Sequence, residues 1–299
     1  MSLDTGAATG QPAAAPGPVL SLAAADAAAC KALSDGAGWQ HTLEDWRVRL
    51  AEGHGFGICV GGRLACVAAV FAYPDRAAFL GMLLTDPPLR GQGLAGALSR
   101  HCIGWAADRG LPLCLIAVPR AVPLYLRLGL KPIAGEGLAS LRFTGPVGLG
   151  MAGPLRPAVA RDIAAIAALD AVAVGYDRAT LLADHLARGA AHALVAEREG
   201  RIAGFALAVQ RGDTLALGPC VAEDDATGQR LLAQQLAMVP PGQSARLDVP
   251  CGQTGLLGRL AVIGITPHSN LAAMADKPAS GLPHARPEMV FAAYSAVAG

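Results

Sequence analysis

The stretch Thr85–Ala95 constrains the fold of this chain more than any other. It lies between an apolar run over Phe79–Leu84 and a helical run over Leu94–Arg109, so the local order is strand, glycine-containing turn, helix. Such a turn directs several backbone N–H groups toward one point, where the positive end of the helix dipole adds to them. Gly91 and Gly93 have no side chains that would keep a ligand away from the backbone. The sequence therefore predicts an anion-binding loop.

Two common phosphate-binding patterns fit this loop poorly. A Walker loop requires a lysine followed by serine or threonine, and neither follows Gly93. Gly91, Gly93 and Gly96 have the spacing of a dinucleotide-binding loop, but no acidic residue follows a second strand about 20 residues later. An ordinary strand-turn-helix connection that uses glycine for its turn remains the alternative at this point.

Two motifs in the right order resemble those of the GNAT N-acetyltransferases. The loop matches the acetyl-CoA pyrophosphate pattern [RQ]-x-x-G-x-[GA], with Arg90, Gly93 and Ala95 at the fixed positions. The later stretch Val122–Leu130 resembles the family motif in which a helix carries a tyrosine and ends at Leu-Gly-Phe or Leu-Gly-Leu, and Tyr125 matches that tyrosine. The interval between the motifs leaves room for one helix and one strand. On this resemblance the first half is identified as a member of the GNAT superfamily.

The resemblance implies an α/β (α+β) fold, with a mixed and mostly antiparallel sheet flanked by helices. It also implies direct transfer of an acetyl group from acetyl-CoA to an amine, without an acyl-enzyme and without a metal. The residues expected to hold the coenzyme are Leu83, Leu84, Thr85, Arg90, Gly91, Gln92, Gly93, Leu94 and Ala95. The backbone N–H groups of the first three would stabilise the oxyanion. Tyr125 would give a proton or a hydrogen bond to the departing thiolate.

The acceptor pocket is predicted from the same resemblance. In the family, the region of the first two helices covers the acceptor, so Trp39, His41 and Trp46 are expected to line the pocket. The alternative is that both tryptophans pack the helices onto the sheet. Tyr176 and Asp177 are candidates for a contribution from the second half. The acceptor is expected to be a small-molecule or peptide amine.

The base that removes the proton of the amine is not identifiable from the sequence. Many relatives use a glutamate on the strand before the loop, but Phe79–Leu84 contains no acidic residue. His41, His54, Asp86, Asp177 or a chain of water molecules remain candidates. The missing acid also keeps a second function class open, a non-catalytic acyl-CoA-binding or scaffold protein with the same fold.

The second half repeats the first. Gly62–Ala65 recurs as Gly200–Ala203 and Leu128–Leu130 recurs as Ile263–Ile265, and two further short matches keep the same order at nearly the same offset. We therefore predict two tandem GNAT-like domains. Residues 1–17 form a disordered lead-in, 18–145 the N-terminal catalytic domain, 146–157 a linker, and 158–299 a C-terminal domain resembling the degenerate GNAT-like domain of a bacterial two-domain family.

The second half lacks the residues that hold the coenzyme and carry catalysis in the two motifs. At equivalent positions, Thr227 replaces the arginine of the loop, Arg230 replaces its second glycine and Leu260 replaces the tyrosine. We expect the Arg230 side chain to block a pyrophosphate, so this half is predicted not to bind acetyl-CoA productively. It would instead complete the acceptor cleft or form an oligomer contact, with a homodimer as one possibility.

Composition restricts the partners. The net charge is +1 without a basic block, which argues against nucleic acid. No apolar run reaches the roughly 18 residues of a membrane span, and the N-terminus lacks a secretory pattern, so a cytoplasmic location is expected. The seven cysteines show no CxxC spacing and the histidines no metal-ligand pairing. Cys59 and Cys114 lie in apolar strands, where an inert buried thiol is favoured over a nucleophile.

Overall fold

The computed structural model describes residues 17–151, 153–277 and 285–294. Apart from Gly17, the predicted lead-in lies outside the described residues. The first half of the chain forms the following elements: β1 (Val19–Leu22), α1 (Ala27–Gly36), α2 (Leu43–Glu52), β2 (His54–Val60), β3 (Arg63–Tyr73), β4 (Ala77–Thr85), α3 (Leu94–Ala107), β5 (Leu113–Ala117), α4 (Val122–Arg127) and β6 (Lys131–Thr144).

Local sequence signals account for several of these boundaries. Thr42 caps α2, because its hydroxyl accepts the Asp45 N–H and the Asp45 carboxylate accepts the Thr42 N–H, at 3.0 and 2.8 Å. Gly61 and Gly62 both have positive φ and form the turn between β2 and β3. Gly129 follows α4 with a φ of 90°, as expected for a residue that ends a helix. The helix end at Gly129, expected from the second motif, is confirmed.

The second half repeats the same order of elements: β7 (Arg156–Pro157), α5 (Ile163–Val174), α6 (Ala179–Gly189), β8 (Leu194–Arg198), β9 (Arg201–Arg211), β10 (Thr214–Ala222), α7 (Asp225–Met238), β11 (Ser244–Pro250), α8 (Thr254–Val262), β12 (Pro267–Ala275) and β13 (Val290–Ala292). None of the helices in the described ranges is long and apolar enough to cross a bilayer.

All the strands belong to one sheet, in the order β1-β2-β3-β4-β5-β12-β6-β11-β10-β9-β8-β7, with β13 added beside β10. Only the pairs β4–β5 and β10–β11 are parallel. The predicted mixed, mostly antiparallel sheet with flanking helices is therefore confirmed. The two halves form one continuous sheet, a feature that the sequence did not indicate.

The halves exchange their last long strands. β6 ends the first half in sequence, but its C-terminal part pairs with β11 of the second half, from Leu138 opposite Pro250 to Thr144 opposite Ser244. β12 of the second half inserts between β5 and β6 and pairs with both. Each half lacks a strand that the other half supplies.

The helices cover both faces of the sheet. One core packs α3 and α4 against the first half, and another packs α7 and α8 against the second. A third core lies on the opposite face and contains residues of α1, α2, α5 and α6 together. Within it, the rings of Tyr73 and Tyr176 stack with centroids 3.7 Å apart across the junction of the halves. This third core is thus built jointly by both halves.

Candidate active site

The predicted anion loop leaves the N-terminus of α3 open. Gly93 is the N-cap residue with a φ of 84°, and no side chain caps the helix. Gly91 also has a positive φ, and a Cβ atom placed on either glycine would meet nothing within 4 Å. The loop residues from Arg90 to Gly93 are exposed. Backbone donors and the helix dipole therefore face unoccupied space of the kind that a pyrophosphate requires.

The strand before the loop separates from its neighbour. β4 and β5 pair only at Ala78–Leu113 and Phe79–Cys114, and the strands diverge beyond that point. A bulge accompanies the divergence: Met82 has a φ of 53°, and the register between β3 and β4 shifts around Ala68. The edge of β4 that includes Leu83, Leu84 and Thr85 consequently has no strand partner on the β5 side. This wedge has the form of a cleft for an extended ligand.

Tyr125 lies beside this wedge. Its side chain is buried in the core under α3. Burial is the main cause that raises the pKa of its phenol above the ordinary value, and Cys102 and Cys66 raise that pKa further. Cys66 in turn places its Sγ 3.2 Å from the Thr85 hydroxyl at the end of β4. The phenol therefore remains protonated at neutral pH. It can act as a donor to a thiolate.

The corresponding space in the second half is filled by the chain itself. β13 pairs with Cys220 and Val221 at the end of β10, and the Ala293 N–H donates to the Asp248 carbonyl on β11 at 2.9 Å. The wedge between β10 and β11 is thus bridged by the C-terminal segment. The Phe291 ring lies against α7, where a Cβ atom on Gly228 would come within 2.4 Å of it.

The helix N-terminus of the second half is also occupied. The Asp224 carboxylate caps α7 by accepting the Thr227 N–H at 2.9 Å, so an internal anion takes the position that a phosphate would need. Arg230 bonds to the Thr227 hydroxyl at 3.1 Å and packs against Gly153, within the helix rather than in a loop. The structural obstacle is Asp224 together with β13. The expectation that the Arg230 side chain is the obstacle is not supported.

A cavity of about 540 Å³ lies between the halves. Phe79 and Ile116, which stand at the opening of the first-half wedge, form one wall. The bulged part of β6 forms the floor, and Arg178, Gln253 and Tyr294 from the second half are among the residues on the opposite side. The cavity therefore connects the first-half wedge with surfaces supplied by the second half.

Glu136 enters this cavity through an irregularity of β6. Ala272 pairs with Gly137 and Met274 pairs with Pro132, so one residue of β12 stands opposite the four residues 133–136. Gly137 has a φ of 145°, and a Cβ atom there would lie 2.4 Å from the Leu271 carbonyl oxygen. The bulge places Glu136 on the wall of the cavity. Burial raises the pKa of the Cys114 thiol on β5 to about 12, and the charges of Asp276 and Glu136 contribute to this rise. The Gly-Glu-Gly sequence was the available signal, and we did not predict this site.

The cavity carries more acid than base. Glu136, Asp225 and Glu288 are among its lining residues. Arg178 is the one arginine that lines it, and its guanidinium contacts the buried Asp170 carboxylate at 2.7 and 2.9 Å. A cavity with this balance attracts cations rather than anions.

The residues predicted to line the acceptor pocket lie outside this cavity. Trp46 is fully buried and donates its indole N–H to the Ser34 hydroxyl at 3.1 Å, so the packing alternative is correct for this residue. Trp39 packs beside the His41 ring with centroids 5.3 Å apart. Tyr176 is buried in its stack with Tyr73, and Asp177 is exposed and accepts the Ala179 N–H at the start of α6. None of the predicted pocket residues, Trp39, His41, Trp46, Tyr176 and Asp177, is among those that line the cavity.

The candidate bases that the sequence offered, His41, His54 and Asp86, do not line the cavity. Burial and the nearby Arg49 charge lower the pKa of His41 to about 3, so its ring is a weak base. His54 stacks on Trp105 in the last turn of α3, the end of that helix away from the loop. Asp86 lies in the turn after β4, where its carbonyl accepts the Leu89 N–H. The two cysteines considered as nucleophiles lie in strands, and burial holds Cys114 as a thiol. In the described part of the chain, no His, Cys, Asp or Glu cluster is arranged to hold a metal ion.

Comparison with known families agrees with this architecture. Residues 24–130 match the model of the acetyltransferase (GNAT) family, and residues 166–289 match that of an acetyltransferase (GNAT) domain. An uncharacterized N-acetyltransferase of Bacillus subtilis, YitH, is 24% identical over 230 residues, which cover 76% of this chain and 80% of the relative. A holothin acyltransferase of a Pseudoalteromonas species is 26% identical over 204 residues, covering 66% of this chain and 65% of that protein.

Solved structures share the fold over the whole chain. A putative acetyltransferase from Pyrococcus horikoshii superposes with a TM-score of 0.75 at 13% identity, covering 94% of this chain and 95% of the other. A tandem GNAT protein from the clavulanic acid biosynthesis pathway superposes with a TM-score of 0.63 at 15% identity, covering 86% and 97%. The chain described here belongs to the GNAT acetyltransferase family and contains two tandem GNAT domains.

Proposed function

We propose that this protein is an acetyl-CoA-dependent N-acetyltransferase that uses one coenzyme site, in its first half, and one acceptor site, between the halves. The observation that carries the proposal is the contrast between two equivalent positions. The first-half wedge and helix N-terminus are open, whereas those of the second half are filled by β13 and by the Asp224 carboxylate.

In this proposal, the pyrophosphate of acetyl-CoA contacts the N–H groups around Gly91 and Gly93, and the pantetheine arm lies along the unpaired edge of β4. The thioester then reaches the cavity near Phe79. An amine attacks the carbonyl carbon, the C–S bond breaks, and the thiolate takes a proton from Tyr125. Backbone N–H groups at the end of β4 stabilise the oxyanion.

The acceptor class follows from the charge of the cavity. Three carboxylates line it, and its arginine already contacts Asp170. We propose a small primary amine that arrives as a cation, and Glu136 as the group that takes its proton, because Glu136 lines the cavity at the bulge of β6 and its charge acts on Cys114 of β5. A carboxylate in this role resembles the strand glutamate of other family members in chemistry but stands on a different strand.

Calorimetry and a thiol-release assay on the full chain test the proposal. We expect acetyl-CoA to bind with a stoichiometry of one, and free CoA to appear when a panel of primary amines is added. Binding without thiol release from any amine would favour the non-catalytic acyl-CoA-binding alternative. An absence of binding, or two equivalent sites, would refute the proposed coenzyme site. The full chain is necessary because the strand exchange leaves neither half with a complete sheet.

A further inference from the structure

A second group of charged residues lies apart from the cavity, between α2 of the first half and α6 and β9 of the second. We call it the interface cluster; it comprises Asp45, Arg49, Asp184, Arg188 and Arg211. Asp45 and Arg49 are almost completely buried, at 0% and 1% exposure. The coenzyme loop, Tyr125 and the cavity do not use any of the five residues. A buried cluster of this size needs its own explanation.

The two carboxylates of the interface cluster are well satisfied. Asp45 Oδ1 accepts hydrogen bonds from Arg49 Nη1 at 3.2 Å and from Arg188 Nη1 at 3.1 Å. Its Oδ2 accepts the Thr42 N–H at 2.8 Å. Asp184 accepts three hydrogen bonds from Arg188 on the same helix. Neither carboxylate accepts a hydrogen bond from Arg49 Nε, Arg49 Nη2 or Arg211 Nε.

The arginines, in contrast, retain donors that no described residue accepts. Arg49 Nε and Nη2 are buried and unpartnered, and these two atoms form one edge of the guanidinium plane. That edge matches the two oxygens of a carboxylate through parallel hydrogen bonds. Arg211 Nε and the Tyr294 hydroxyl are also buried and unpartnered. Buried donors of this kind are rarely left unsatisfied in native proteins, and an ion or water usually explains them.

The charge of the cluster indicates an ion rather than water alone. Within the part of the chain that the structure describes, three guanidinium groups face two carboxylates, which leaves one positive charge in excess. The neighbouring histidines are neutral, because burial and the arginine charges lower the pKa of His41 to about 3 and that of His185 well below its usual value. The nearby Arg178 and Arg246 each have an aspartate of their own. An uncompensated charge is costly at such a depth, and a monoanion would neutralise it.

The unpartnered donors belong to one neighbourhood. Arg211 Nη1 lies 3.3 Å from His41 Nε2, and the His185 ring packs on the Tyr294 ring with centroids 4.3 Å apart. Tyr294 also lines the cavity, and the charges of Arg49 and Arg211 both act on its phenol, whose pKa is raised by burial. We propose that the interface cluster is a binding site for a small carboxylate monoanion, held by the free edge of Arg49 and completed by Arg211 and Tyr294.

Thermal unfolding of the full chain, without acetyl-CoA, tests this site independently of the proposed function. Sodium formate replaces increasing amounts of the sodium salt of a bulky sulfonate, so that the ionic strength stays constant through the titration. We expect a saturable rise in Tm of about 2–4 °C at roughly tenfold excess over Kd. A parallel titration with glycine identifies the source of the carboxylate: a tighter response to glycine than to formate would assign the anion to an amino acid-like acceptor, and the reverse would assign it to a free carboxylate.

Three variants complete the test. Arg49→Met removes the excess charge and the free edge, so its Tm should not respond to formate. Arg49→Lys keeps the charge but loses the bidentate edge, and we expect at least a tenfold weaker response; this variant serves if Arg49→Met does not fold. Arg47→Met, on the exposed side of the same helix, should respond as the wild type does.

Two results would overturn the proposal. One is a wild-type Tm that does not saturate with formate, or that responds in the same way after Arg49→Met. The other is a high-resolution crystal structure, grown in formate, in which only water molecules contact Arg49 Nε and Nη2.

Discussion

Replacement of Gly93 with alanine should weaken acetyl-CoA binding strongly while leaving the protein folded. Gly93 has a φ of 84°, and its added Cβ atom would meet no protein atom within 4 Å. The cost to the fold is therefore limited to the left-handed backbone conformation, about 1–2 kcal/mol. This corresponds to a fall in Tm of about 2–8 °C. The protein itself has room for the methyl group.

The bound coenzyme would not have that room. The Cβ atom would occupy the space at the N-terminus of α3 that the proposed site assigns to the pyrophosphate, and at least one charge-assisted hydrogen bond from the backbone would be lost. Such a bond contributes about 1.5–3 kcal/mol. Because 1.4 kcal/mol is a factor of ten, we expect Kd to rise about 10- to 150-fold.

Gly62→Ala is the matched control. Gly62 also has a positive φ, of 77°, and a Cβ atom there likewise meets nothing within 4 Å, but it lies in the turn between β2 and β3. The two variants carry the same backbone strain and differ only in their position relative to the loop. Isothermal titration calorimetry with acetyl-CoA measures Kd, and thermal unfolding measures the strain. Wild-type affinity in Gly93→Ala, or an equal loss in both variants, would refute the proposed loop.

Three further predictions concern individual side chains. Tyr125→Phe should lower kcat at least tenfold with little change in acetyl-CoA affinity, as measured by thiol release and calorimetry; unchanged turnover would remove its role as the acid. Glu136→Gln should lower kcat/KM for a reactive amine by about 10²–10⁴, whereas the exposed Glu52→Gln should not. The pKa of His41 lies below its unfolded value, so its contribution to stability is complete above pH 6.5 and is lost on acidification, by roughly 2–3 kcal/mol at pH 4.5. Urea unfolding of wild type and His41→Gln at both pH values measures this loss, and equal pH dependence in the two proteins would contradict it.

Local patterns in the sequence were sufficient to predict the elements around the coenzyme site. The strand, turn and helix from Ala77 to Ala107 are close to those predicted, because turn glycines and apolar periodicity act over a few residues. The tandem arrangement was predictable as well, since the matches recur at a nearly constant offset. The location of the cavity that we propose as the acceptor site was not predictable. The tryptophans that suggested it, Trp39 and Trp46, pack the helices, and an aromatic residue looks the same in sequence whether it lines a core or a pocket.

The sequence by itself determined the family, the duplication and the loss of the motif residues from the second half, because each of these can be recognised in a few consecutive residues. Only the tertiary structure decided how the halves combine. The exchange of β6 and β12 and the insertion of β13 are pairings between strands that are distant in sequence. The residues of an apolar strand do not indicate which other strand it will pair with. The approach of Asp45 to Arg188, 143 residues away in sequence, follows from the same joining of the two sheets. Cavities and buried charges at an interface exist only after such long-range contacts form, and they are therefore visible only in the folded molecule.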